Sequence, residues 1–119
     1  WNGFHNRRSN EEIPRKIHEE MKPVIWTTEA EDSFYELVDY LNEYWDDRNY
    51  ADFQERIDEV ISIIQQQPQA YPLAETLSSK GIRKAVLIKM VSIYYKPHDN
   101  TILILLFWHN SRNPSSLNL

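Results

Sequence analysis

Three runs of β-branched, aliphatic and aromatic residues follow one another between residues 81 and 114. They begin at Ile82, Val91 and Thr101, and only a few polar residues separate them. Such short separations leave no room for a crossover helix, so we expect neighbouring antiparallel strands. Residues 102–108 are apolar without interruption, which is typical of a strand buried on both faces. The sequence therefore predicts a small sheet with its last strand in a central position.

Two amphipathic segments precede these runs. Apolar residues recur at helical spacing in both segments, as Phe34, Leu37, Val38, Leu41 and Trp45 in the first and as Tyr50, Phe53, Ile57, Val60, Ile61 and Ile64 in the second. Thr28 and Glu31 are expected to form the capping box of the first helix and Asn49 to cap the second, which ends before a loop at residues 68–80. Residues 24–27 read as a first strand. The order predicts an α+β fold, with an antiparallel helix hairpin packed on one face of a mostly antiparallel four-stranded sheet.

Charge is divided unevenly along the chain. The net charge is −5, but residues 21–70 carry twelve acidic and three basic side chains, whereas residues 71–119 carry two acidic and six basic ones. The predicted helices are therefore acidic and the predicted sheet is basic, so an anionic partner is expected at the sheet. Proteins that bind polyanions usually have a basic total charge, which this chain lacks.

Length and composition limit the class of protein further. A chain of 119 residues has room for one core. Cysteine is absent, which excludes a disulfide framework, and no apolar run approaches the roughly 20 residues of a membrane span. We expect a soluble cytoplasmic protein that needs neither a metal nor a cofactor. Residues 1–20 differ in composition from the rest, and Met21 resembles a translation start. The domain is therefore expected to comprise residues 21–119, with residues 1–20 as an N-terminal extension.

Five short motifs occur in a fixed order along residues 22–114. They are Thr28-Glu29-Ala30-Glu31, Gln67-Pro68, Gly81-Ile82-Arg83-Lys84, Ile93-Tyr94-Tyr95-Lys96 and the closing Phe107-Trp108-His109-Asn110-Ser111-Arg112-Asn113-Pro114. In this order they resemble the RelE/ParE family of toxins from type II toxin–antitoxin systems. The resemblance implies a bacterial growth-inhibiting toxin of the kind found in plasmid stabilisation systems. It also implies a cognate antitoxin whose C-terminal segment wraps around the toxin.

The resemblance implies two different mechanisms, since one branch of the family poisons DNA gyrase and the other cleaves mRNA on the ribosome. Cleavage needs an acid, a base and cations, for which His109, Tyr95 and Arg112 are the candidates. However, Val91 lies near the position of the phosphate-binding arginine of the cleaving branch, and no tyrosine follows Arg112. Tyr94 and Tyr95 should point to opposite faces, one of them into the core. The gyrase branch, which is not itself a nuclease, is favoured; the alternatives are an mRNA endonuclease and a non-toxic antitoxin-binding member.

Basic residues near the strand ends form the candidate set for binding a partner or phosphate. The set comprises Arg83, Lys84, Lys89, Lys96 and Arg112. Because Arg83 and Lys84 are adjacent on a strand, at most one of them can contribute to a shared site. A lone histidine such as His109 is more often structural than catalytic. Arg112 has the better case for a functional role, although a salt bridge to the acidic helices suits it nearly as well. The expected partners are the antitoxin and either DNA gyrase or the ribosome with mRNA, with no membrane. An exposed sheet edge would also allow a homodimer.

Overall fold

The computed structural model describes residues 21–112, 117 and 119. In chain order the elements are β1 (Val24–Trp26), α1 (Thr28–Leu41), α2 (Asp47–Gln66), a 3-10 helix (Glu75–Lys80), β2 (Arg83–Ile88), β3 (Val91–His98) and β4 (Thr101–His109). This order confirms the predicted α+β fold. The 3-10 helix lies where the sequence indicates only a loop. The extension predicted at residues 1–20 lies outside the described residues.

The four strands form one mixed sheet in the order β1-β4-β3-β2. β4 is antiparallel to β3 and parallel to β1, and β2 is antiparallel to β3. β4 therefore lies inside the sheet, as its continuous apolar run predicts. β1 is short and pairs only with residues 102–104 of β4. Within the described part of the chain, no strand lies beside the last residues of β4 on that side.

Both helices pack on one face of the sheet. The core between them is formed by buried side chains from α1, α2 and all four strands, among them Phe34, Leu41, Phe53, Ile57, Ile64, Ala85, Ile93, Tyr95, Ile102 and Ile104. The helices also contact each other, since the Tyr50 hydroxyl donates to the Val38 carbonyl at 3.1 Å and the rings of Phe34 and Phe53 lie 6.5 Å apart. Val38, late in α1, contacts Tyr50, early in α2, whereas Phe34, earlier in α1, contacts Phe53, later in α2. The two helices therefore run antiparallel.

The start of α1 differs from the predicted capping box. Thr27, not Thr28, is the N-cap, because its Oγ1 accepts a hydrogen bond from the Ala30 amide at 3.1 Å. The same hydroxyl donates to the Ile104 carbonyl of β4 at 3.0 Å. This hydrogen bond holds Thr27, the residue immediately after β1, against the sheet. The helix consequently begins one residue earlier than a box of Thr28 and Glu31 requires, and that prediction was wrong.

The start of α2 also lies earlier than the sequence analysis indicates. Asp46 is the N-cap, and its carboxylate accepts the Asn49 amide at 2.9 Å. The Asn49 side chain in turn accepts the Asp46 amide at 3.0 Å, so Asn49 completes a capping box and is not the cap itself. The prediction of Asn49 as the cap was therefore wrong by three residues. The helix ends at Gln66, before Pro68, as expected.

The second face of the sheet carries a smaller apolar cluster. It consists of Ala74, Leu77, Ile82, Tyr94 and Trp108, against which Leu105, Leu106, Leu117 and Leu119 pack. The 3-10 helix brings Leu77 onto this face and is capped at its C-terminal end by Gly81, whose φ of +73° is in the left-handed region that suits glycine. Among the described residues, no helix combines the length and hydropathy needed to span a membrane.

Candidate functional site

A groove with a volume of about 330 Å³ lies between α1 and the end of β4. We call it the α1–β4 groove; it is lined by Ser33, Glu36, Leu37 and Tyr40 of α1 and by Leu106, Phe107, Trp108, His109, Ser111 and Arg112. The groove exists because β1 ends at Trp26 and α1 takes the place of a strand beside the end of β4. Ser33 connects the two walls: its hydroxyl accepts the Phe107 amide at 3.0 Å and donates to the Ala30 carbonyl at 3.0 Å.

His109 is half-buried at the end of β4, where it forms part of the groove wall. Its Nδ1 accepts the Ser111 amide at 3.2 Å and lies 2.6 Å from the Ser111 hydroxyl oxygen. A ring nitrogen that accepts a backbone N–H carries no proton, so the remaining ring proton is on Nε2. The ring also meets Tyr40 edge-on at 5.5 Å between centroids. In this arrangement Nε2–H can donate a hydrogen bond to a ligand, whereas Nδ1 is already occupied.

Arg112 lies at the mouth of the same groove. Its guanidinium carbon is 4.6 Å from the centroid of the Trp108 ring, which indicates a cation–π contact. The expected alternative was a salt bridge to the acidic helices. Within residues 21–112, Arg112 forms no such bridge. Its exposed guanidinium therefore lies over the Trp108 ring and beside His109, where it can contact a ligand.

Tyr95 lies in the core and not in the groove. Its side chain is fully buried, and its hydroxyl donates to the Pro68 carbonyl at 2.8 Å. Burial raises the pKa of the Tyr95 hydroxyl to about 12, although a backbone hydrogen bond from Tyr71 and the charge of Arg83 act in the lowering direction. His109 pairs with Val91, four residues from Tyr95 along β3, a distance of about 13 Å. The structure does not bring Tyr95 to His109, which removes its support as a proton donor at this site.

The other candidate cations are spread over several surfaces. Arg83 donates from Nη1 to the Tyr71 carbonyl at 2.7 Å on the helix-covered face, whereas the Lys84 ammonium lies 5.9 Å from the centroid of the Tyr94 ring on the opposite face. The side chains of Arg83 and Lys84 therefore point to opposite faces of the sheet, as their adjacency on a strand predicts. The remaining pair comprises Lys89, which is exposed in the turn between β2 and β3, and Lys96, which is half-buried on β3. Of the five basic candidates, only Arg112 lines the α1–β4 groove.

The α1 wall of the groove was not predicted as part of a site. Glu36 and Tyr40 line it, although the sequence analysis nominates no residue of the two helices for a site. The sequence does contain a pattern that indicates this wall, because Glu36, Tyr40 and Tyr44 recur every four residues. The two tyrosines are 52% and 66% exposed, and their ring centroids lie 5.6 Å apart. Exposed tyrosines at helical spacing, outside the core stripe, indicate a contact surface.

The groove combines a largely apolar floor with three ionisable groups of different chemistry, besides the hydroxyls of Ser33 and Ser111. Glu36 provides a carboxylate, His109 an N–H donor and Arg112 a guanidinium. This combination suits the side chains of a protein partner better than a phosphate backbone, because Glu36 would repel the phosphates. In the described part of the chain, no three His, Cys, Asp or Glu side chains lie together as metal ligands would.

Comparison with known proteins identifies the family. No curated protein matches the sequence. Among solved structures, the chain is similar to a chain described as the chromosomal ParDE TA system from P. aeruginosa, with a TM-score of 0.59 and 18% sequence identity, covering 76% of this chain and 97% of that one. This similarity shows the fold. The family model described as the ParE toxin of the type II toxin-antitoxin system, parDE, matches residues 24–114. Since that match spans most of the sequence, the chain belongs to the ParE toxin family.

Proposed function

We propose that the protein is a growth-inhibiting toxin that acts on DNA gyrase in the cytoplasm and is neutralised by a cognate antitoxin. The observation that carries the proposal is the ParE family match over residues 24–114, which includes all strands and α-helices of the described residues. The similar fold of a chain from a ParDE toxin–antitoxin system supports it.

The chemistry of the α1–β4 groove favours a protein target. Tyrosine, tryptophan and arginine are the residue types enriched at binding hot spots, and Tyr40, Trp108 and Arg112 all line this groove. The apolar floor offers burial to a partner side chain. Glu36 and Arg112 offer charges of opposite sign, which would fix the orientation of that partner.

The test is induction of the toxin in the absence of antitoxin. We expect growth to stop, a DNA-damage reporter to respond, and cleaved gyrase–DNA complexes to accumulate. Arg112→Ala should weaken all three effects together. Arg48→Ala is the matched control, because Arg48 is an exposed cation at the start of α2, outside the groove. Growth arrest without trapped gyrase complexes would contradict the proposed target, and no arrest at all would favour a non-toxic antitoxin-binding protein.

One observation favours mRNA cleavage as a second candidate function. His109 and Arg112 line the same groove, so an N–H donor and a guanidinium could act on one phosphate. Under this alternative, toxin induction should produce specific cuts in mRNA, and His109→Ala should abolish them while the protein stays folded. Mapping of mRNA 5′ ends after induction, compared with the gyrase assay above, decides between the two functions.

A further inference from the structure

The pairing between β3 and β4 is interrupted near the middle of β4. Tyr95 pairs with Ile104, and the preceding residue Tyr94 pairs with Leu106. Leu105 consequently has no partner of its own in β3. An extra residue on one strand of an antiparallel pair is a β-bulge. The bulge lies between the part of β4 that pairs with β1 and the part that forms the α1–β4 groove.

The bulge reverses which residues of β4 face the helices. Ile104 belongs to the helix-covered core before the bulge, and Phe107 belongs to it after the bulge. Side chains alternate in a regular strand, so without the extra residue Trp108 would face α1. Instead Trp108 packs in the cluster on the second face, and His109 meets Tyr40 of α1. The extra residue therefore determines that His109 faces α1.

Thr27 contacts the bulge from the side of β1. Its Oγ1 lies 3.0 Å from the Ile104 carbonyl oxygen and 3.3 Å from the Leu105 carbonyl oxygen, so the hydroxyl donates to this pair of carbonyls. Successive carbonyls of a regular strand point to opposite sides. One hydroxyl reaches two of them here because the strand is bulged. The contact therefore favours the bulged form of β4 over the regular form.

The same hydroxyl also connects the bulge to α1. Its oxygen accepts the Ala30 amide at 3.1 Å and so caps the helix. α1 in turn carries Ser33 and Tyr40 to the groove. Thr27 thus acts on both walls of the groove, on α1 as an acceptor and on β4 as a donor. Because the two roles use different parts of the hydroxyl, substitutions can separate them.

We propose that Thr27 is a positioning residue of the α1–β4 groove, because its hydroxyl proton holds the β4 bulge that turns His109 toward α1. Bulges are frequent beside functional sites, where they redirect a side chain. Without the donor, the end of β4 can move to the regular pairing, in which Trp108 replaces His109 opposite α1. The inference concerns the shape of the groove and does not depend on gyrase as the target.

The direct test uses two substitutions of Thr27 and one control. Thr27→Ser keeps both the acceptor and the donor. Thr27→Asp keeps a good N-cap acceptor but has no proton to donate at neutral pH. Thr28→Asp is the matched control, because it places the same charge at an exposed position one residue further along. Circular dichroism should show that the helices are retained in all three variants.

The readout is the nuclear Overhauser effect (NOE) between the ring protons of His109 and Tyr40, whose ring centroids lie 5.5 Å apart. We expect this NOE in the wild type, in Thr27→Ser and in Thr28→Asp, and its loss in Thr27→Asp. A residue that only stabilises the fold would lower Tm and leave the NOE unchanged. Retention of the NOE in Thr27→Asp would overturn the proposal, and so would its loss in either of the other two variants.

The wild type provides a second test that does not require a variant to fold. A hydroxyl that donates to a carbonyl exchanges its proton with water more slowly than an exposed hydroxyl. The Thr27 hydroxyl should therefore exchange more slowly than that of Thr28, measured by the deuterium isotope shift of the Cβ carbon. Equal exchange rates would contradict the proposal. Cross-strand NOEs that pair Ile93 with Leu106 in place of Phe107 would contradict it as well.

A growth assay separates this inference from the proposed function. When the groove is the toxic surface, Thr27→Asp weakens growth arrest as Arg112→Ala does, and Thr27→Ser does not. Loss of the NOE together with full toxicity would support the positioning role of Thr27 and contradict the groove as the toxic surface.

Discussion

Replacing Tyr95 by phenylalanine tests whether this residue is part of the core or part of a catalytic site. The substitution removes one hydroxyl and leaves the ring, which is fully buried between the sheet and the helices. The Pro68 carbonyl then loses the donor that lies 2.8 Å away. A hydrogen bond of this kind contributes about 1 kcal/mol net. The unfolding free energy at pH 7 should fall by about that amount, and Tm by about 4 to 6 °C for a domain of this size.

The effect should also depend on pH. The pKa of Tyr95 is about 12 in the folded protein, against 10.0 for an unperturbed tyrosine, because burial disfavours the phenolate. Below pH 10 the hydroxyl is protonated in both states, and its contribution to stability is complete. Between pH 10 and 12 the unfolded chain ionises first, so the wild type loses stability as pH rises. At pH 11 the wild type has lost about 1.4 kcal/mol of unfolding free energy. The Tyr95→Phe variant has no hydroxyl at this position, so it does not lose this amount. The two proteins should therefore be nearly equal in stability at pH 11.

Urea unfolding followed by tryptophan fluorescence at several pH values between 7 and 11 measures this difference. Subtracting the variant from the wild type removes the contribution of the other tyrosines and the lysines, which titrate in both proteins. Tyr44→Phe is the control, because that side chain is 66% exposed and should change stability at neither pH. The reasoning is refuted if Tyr95→Phe is as stable as the wild type at pH 7. It is also refuted if the variant keeps full stability but loses toxicity, since Tyr95 would then act in the function and not in the core.

Three further predictions follow from local geometry. Thr27→Ala should lower the unfolding free energy by about 1 to 2 kcal/mol in urea denaturation, because an N-cap and a bond to β4 are lost, whereas Thr28→Ala should be nearly neutral. Gly81→Ala should cost about 1 to 2 kcal/mol, measured as a lower Tm, because its φ of +73° strains any residue with a Cβ; an unchanged Tm would contradict this. Arg56→Met should increase self-association in sedimentation velocity, because the Arg56 guanidinium donates to the Leu87 and Val86 carbonyls of the edge strand β2 and methionine leaves them open. Arg48→Met should not have this effect.

The order of the elements could be predicted because each carries its own local pattern. Helical spacing from Phe34 to Trp45 and the unbroken apolar run of β4 indicate their structures without knowledge of the rest of the chain. The N-cap of α1 could not be predicted in the same way, because Thr27 and Thr28 are both good caps. The choice depends on the Ile104 carbonyl, which is distant in sequence.

The candidate site could likewise be predicted only in part. His109 and Arg112 could be nominated because they are close in sequence and share a motif. Ser33 and Tyr40 could not, because their place in the groove depends on how short β1 is and on the position of α1 beside β4. Tyr95 was nominated for its chemistry, but alternation along a strand does not say which of two adjacent tyrosines faces the core. The packing of both helices against that face decides it.

The pairing of β1 with β4 also affects when the protein can fold during its synthesis. Thr27 and its partner Ile104 are 77 residues apart. Thr27 directly follows β1, the first of the described strands, and Ile104 lies in β4, the last of them. At translation rates of about 5 to 20 residues per second, the earliest strand waits roughly 4 to 15 seconds for its neighbour. During that interval Trp26 has no strand to pack beside. The nascent polypeptide therefore cannot assemble the centre of its sheet until translation has passed residue 104, so folding of the sheet follows synthesis of nearly the whole domain.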